Sequence, residues 1–160
     1  MITIEKNSLK VGKYVNTEYV NEVIRTYKQE RWVHNSERIG KEDSLSVWFP
    51  VEDLEKFIQD AKTNGADGIK FYFAAYPENF EEKPEYAGRQ TIVLVATKSK
   101  KTESGNANKD LYITRNGNST IMGINLGLLC PPYCSGFAPA ASAEVGITLV
   151  DRGEKGVSVV

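Results

Sequence analysis

Between residues 17 and 31 the apolar positions Val20, Val23, Ile24 and Tyr27 recur at helical spacing, with Glu22, Arg25 and Lys28 between them; this predicts an amphipathic helix. Asn16 or Thr17 can cap its first turn, and Lys28 and Arg31 suit the negative end of its dipole. A second stripe, Leu54, Phe57, Ile58 and Ala61, predicts a helix over 51–64. Glu52 and Asp53 lie in its first turn and Gly65 stands where a carboxyl-terminal cap is needed.

Elsewhere the pattern shortens to a period of two or to continuous apolar runs. Residues 45–49 read as a short strand stopped by Pro50. Over 68–76, Ile69, Phe71, Phe73 and Ala75 alternate with Lys70, Tyr72, Ala74 and Tyr76, predicting a strand with its phenylalanines toward the core. Residues 91–97 form a β-branched run expected of a central strand covered on both faces. Asn116-Gly117 predicts a hairpin turn between strands at 111–114 and 119–126.

The polar stretches 34–43, 77–90 and 99–110 are read as loops, the second long and exposed, the third flexible. The region 135–160 is expected to be a mobile tail or an edge strand of the same single domain, 1–160. Two helices among five or so strands, with most strands joined without helices between them, predict an α+β two-layer sandwich. Its mainly antiparallel sheet would carry both helices on one face.

Charge narrows the partners. Twenty basic residues against twenty-one acidic ones, with no basic stripe, argue against nucleic acid. No apolar stretch approaches the roughly 20 residues of a membrane span, so no membrane partner is expected. The start of the chain has no export-signal pattern and two cysteines cannot build a disulfide scaffold, so a soluble, cytoplasmic protein is expected.

Candidate chemistry is sparse. Cys130-Pro131-Pro132-Tyr133-Cys134 makes a stiff turn that could bring two thiols together. A redox pair would want two intervening residues instead of three, and zinc would need two more ligands than the cysteines supply, with His34 the lone histidine. Packing as two small hydrophobes is therefore the preferred reading of Cys130 and Cys134. No nucleophile elbow, phosphate loop or calcium loop is present, and Glu78, Glu81, Glu82 and Glu85 read as a solvated acidic loop. No metal or cofactor is implied. Tyr72 and Tyr76, opposite the phenylalanines on their strand, are the candidate ligand or partner surface.

Val47-Trp48-Phe49-Pro50 leading into Glu52-Asp53-Leu54, then residues 65–73 and the Cys130–Cys134 turn, resembles in order a group of small uncharacterised bacterial proteins. The resemblance spans residues 45–134, implies one domain with a shared late Cys-Pro turn, and brings no function with it. The expected role is a non-enzymatic interaction or small-ligand-binding domain, with a homodimer through an open sheet face as the partner arrangement. The alternative is a thiol-redox or metal-assisted enzyme centred on Cys130 and Cys134.

Overall fold

The computed structural model describes residues 10–134 and the strand segments 149–151 and 157–159. The rest of the expected tail lies outside the described residues. The chain is α+β, with helices and antiparallel strands interleaved along the sequence.

Helix α1 (Thr17–Tyr27) starts at Asn16, whose side chain accepts from the Tyr19 N–H at 2.9 Å. The helix does not stop at Arg31. It passes through a π-helical turn (Lys28–Trp32) into α2 (Val33–Ile39), which ends on Gly40 with φ of 70°. The stretch read as polar loop is thus half helix, and Gly40 is the stop signal. The wide turn has a physical use. In a regular α-helix, residues five apart point about 140° away from each other; here the i→i+5 bond from Val33 N–H to Lys28 O lets Tyr27 and Trp32 reach the same side. Tyr27 bonds Gln90, and Trp32 Nε1 donates to Asp43 O at 2.8 Å.

After β1 (Ser46–Trp48), helix α3 (Val51–Thr63) begins with Glu52 and Asp53 in its first turn, and Gly65 beyond its end takes φ of 86°. Strand β2 (Gly68–Ala75) pairs antiparallel with the long β3 (Gln90–Thr102), Ile69 opposite Ala96 and Phe73 opposite Ile92. On its other edge β3 carries β4 (Gly105–Asp110) and β7 (Gly123–Ile124). Two ribbons complete the described strands of 10–134. β5 (Tyr112–Arg115) pairs β6 (Asn118–Ile121) across the expected turn, with Asn116 and Gly117 both at positive φ. β1 pairs β8 (Leu128–Cys130). Further on, β9 (Leu149–Asp151) pairs β10 (Val157–Val159).

Residues 99–110, expected to be a flexible loop, are instead the outer half of β3, a turn and β4. Their polar alternation suits a ribbon wet on both faces, which apolar periodicity cannot detect. The core has two parts. Phe57 and Ala61 of α3 pack on Leu94 and Ala96 of β3 with Met122, while Tyr76, Tyr86 and Leu129 form a second cluster. Thr91, Val95 and Thr97 are buried too, so the middle of β3 is covered on both faces as expected.

The 77–90 connection also departs from expectation. It carries fully buried Tyr86 and buried Arg89, stacks Phe80 on Tyr76 at 4.6 Å and is pinned where the Arg89 guanidinium bonds the Glu42 and Glu85 carbonyls. The aromatic residues inside it, outweighed by its glutamates in the sequence reading, draw it inward.

Candidate functional site

Cys130 and Cys134 are joined as a disulfide, with Cα atoms 4.6 Å apart, and Cys130 is buried. They are neither free thiols nor two separate packed hydrophobes. The same turn contains two cis peptide bonds, Cys130-Pro131 and Pro131-Pro132. Tyr133 within it donates to Glu85 Oε1 and meets the Tyr86 ring edge-on at 5.8 Å. His34 lies on the exposed side of α2, 3.8 Å from Glu37. Among the described residues no three Cys, His, Asp or Glu side chains gather in a metal-ligating group.

The two tyrosines part company. Tyr76 is only 7% exposed and belongs to the second core cluster, so it is not a surface for a partner. Burial raises its pKa, and Thr91 Oγ1 donates to its hydroxyl at 3.3 Å. Tyr72 is 41% exposed. Its hydroxyl donates to Asp110 Oδ2 at 2.8 Å, and Lys70 Nζ lies 2.8 Å from Asp110 Oδ1 and 5.6 Å from the Tyr72 ring centre. Bonding to Lys70 and then to Tyr72 holds the Asp110 carboxyl below its usual range; the bond to Asp110 holds the Lys70 ammonium above its own.

The opposite face of β2 holds the larger surprise. Leu94 and Ala96 lie under α3, and Gln90, on the same face of β3 by alternation, lies under Tyr27. Between these two covers Phe71 and Phe73 remain 59% and 84% exposed, against the expectation of core phenylalanines. Their strand is at the sheet edge, where a helix packed over the central strand does not reach. Ile58, on the flank of α3, is exposed as well.

The outer edge of β2 is unpaired among the described residues. Tyr76 N–H donates to Arg89 O, so the even-numbered residues of β2 turn their backbone groups toward β3. Those of Ile69, Phe71, Phe73 and Ala75 therefore point outward. Among the described residues no strand pairs with this eight-residue edge; exposed aromatic rings flank it and Lys70 is its one charge.

Among the concave features of the described residues are two larger clefts. One, of about 510 Å³, lies between the start of α3 and residues 124–128, walled by Trp48, Phe49 and Leu126. Leu126 holds φ of 66° there, beside Asn125, whose amide donates to Ile92 O at 2.8 Å and Thr91 Oγ1 at 3.1 Å. The second, of about 620 Å³, lies between the α1–α2 arm and the end of β2. Tyr27, Arg31, Asn35 and Arg38 face Phe73 and Ala75 across it. No motif in the sequence marked these residues; the spacing of four from Tyr27 to Arg31 to Asn35 was the available signal, hidden by ending the helix at 31.

Among the described residues the arrangement offers exposed apolar and basic surfaces. Compared with family models, with curated proteins and with solved structures, the chain matches none.

Proposed function

We propose that this chain is a binding domain without chemistry of its own, which pairs with a second copy of itself along the outer edge of β2. The observation that carries the reading is the coincidence of an unpaired edge with exposed Phe71 and Phe73. The sequence of the strand fits its own antiparallel copy. With Phe71 on the two-fold axis, the outward-pointing residues pair as Phe71 with Phe71 and Ile69 with Phe73, all on one face. On the other face each Lys70 comes opposite a Tyr72 ring, a favourable cation–π neighbour. Moving the axis to Lys70 would set two ammonium groups against each other, so charge favours the Phe71 axis over that register.

The mass of the native chain in solution, by light scattering across a concentration series, tests this. The expected result is a dimer that Phe71→Asp converts to a monomer, because two carboxylates then meet at the axis, while Tyr112→Asp, an exposed position on β5 and off the β2 edge, leaves it intact. A wild-type mass of 17.8 kDa at the highest soluble concentration would sink the reading.

The second reading, a thiol-redox enzyme at Cys130 and Cys134, draws support from the disulfide alone. Burial of Cys130 counts against attack by an external thiol. Thiol–disulfide exchange with a small dithiol, no faster than in unfolded chain, would remove it.

A further inference from the structure

The cleft between the α1–α2 arm and the end of β2 is built unlike the rest of the surface. Residues 25–41 carry Arg25, Lys28, Arg31, Arg38 and Lys41 against Glu30 and Glu37. Two of these cations, Arg31 and Arg38, line the cleft, and neither is in a salt bridge among the described residues. Its apolar lining includes the Phe73 ring, Ala75 and Ile39, with Asn35 as a neutral amide between the two arginines along the helix. In an α-helix a spacing of four drifts round by about 40° per step. The π turn takes up part of that drift, so that Tyr27, Arg31 and Asn35 share one wall.

The one carboxylate in the cleft does not cancel these charges. Asp43 is buried, and its Oδ1 accepts from Ser44 N–H at 2.8 Å and from Gln90 N–H at 2.6 Å. The Arg89 guanidinium behind it supplies a neutralising charge. Asp43 is thus occupied in holding the arm to β3, and the arginines in front of it are left to face solvent or a ligand. Tyr27 is occupied likewise, its hydroxyl engaged by Gln90 and Asn35 and its pKa raised by burial.

We propose that this cleft binds a small organic carboxylate with a flat apolar body, the carboxylate held by Arg31 and Arg38 and the body laid against Phe73 and Ala75. A guanidinium presents paired N–H groups at the spacing of carboxylate oxygens, which a lysine does not. A volume of about 620 Å³ is of the size that encloses a small ligand, and an apolar wall with a few convergent polar groups is the usual form of such sites. Wide helical turns recur where a helix serves a site instead of a core.

Amide chemical shifts of the full chain, titrated separately with benzoate, benzylamine and inorganic phosphate, test the proposal. Benzoate should shift the amides of residues 31–39 and 73–75 saturably; benzylamine and phosphate should bind there roughly tenfold more weakly or not at all. Arg31→Gln and Arg38→Gln, both at exposed helix positions, should each weaken benzoate about tenfold with helix content unchanged. Phe71→Asp should keep benzoate binding even as a monomer, which separates this site from the pairing along β2. Equal binding of benzoate and benzylamine, phosphate acting as well as benzoate, unaltered affinity in both arginine variants, or loss of binding in Phe71→Asp would each overturn it.

Discussion

Tyr133 and Glu85 show how much one hydrogen bond links here. It ties the disulfide turn to the 77–90 segment, and it is strongest while the phenol is protonated and the carboxyl ionised. Accordingly Tyr133 is pushed up to about 12 and Glu85 is held below its usual range, each first of all by the other. A lowered carboxyl pKa contributes stability that is full above the unfolded value and is lost as pH falls through the folded one. A raised phenol contributes stability that is full below its unfolded value of 10.0 and is lost as pH climbs through about 12. Tyr133→Phe should therefore lower the urea midpoint at neutral pH, and the gap from wild type should close in acid below pH 4.5. A gap that stays constant with pH would assign the loss to packing instead. The disulfide beside it makes a second prediction. Native protein should show no thiol to a labelling reagent, and Cys130→Ser with Cys134→Ser should cost about 2 kcal/mol, the loop-closure figure for so short a loop. The cytoplasmic expectation rested on the lack of an export-signal pattern and on two cysteines being too few for a disulfide scaffold, and one disulfide tests neither ground.

Among the elements, those with strong periodic burial were legible: α3 from Leu54, Phe57 and Ala61, the inner part of β3 from its β-branched run, and the β5–β6 turn from Asn-Gly. What periodicity missed is of another kind. Residues 32–39 are helical although much of their surface is wet, because Trp32 and Ser36 are fixed by bonds to Asp43 nearby and not by an apolar stripe. β4 is held by its ladder to β3 and, at its last residue, by the bonds of Asp110 to Lys70 and Tyr72 of β2. Phe71 and Phe73 read as core because alternation tells which face a residue is on, but not whether anything covers that face. Gly127 packs closely where β8 begins beside β1. A Cβ there would lie 2.5 Å from Val47 Cγ1 and 2.7 Å from Phe49 Cε2. Gly127→Ala should therefore cost about 1–3 kcal/mol in chemical denaturation. An unchanged midpoint would mean that β1 and Phe49 yield freely.

At the scale of the whole molecule, its candidate sites were only partly legible. Tyr72 is exposed while Tyr76 is buried, since the aromatic cluster that covers Tyr76 comes from residues 80 and 86 in a stretch with no strand pattern. The arginine-lined cleft needed the path of the arm back over β2, which no local signal encodes. Both proposed surfaces lie along one strand, β2, so that Phe73 borders the cleft on one side and the free edge on the other. The inner part of β3, by contrast, is bonded along both its edges and covered above and below, and the strand joins three others and contributes Leu94 and Ala96 to the buried interior. Such a strand has no way to open by itself. Its inner amides should give up deuterium only when the entire chain lets go, whereas α1, which buries none of its residues, should trade hydrogen with solvent long before. The domain would then work as a rigid spine from which a loosely held limb and an adhesive margin are hung.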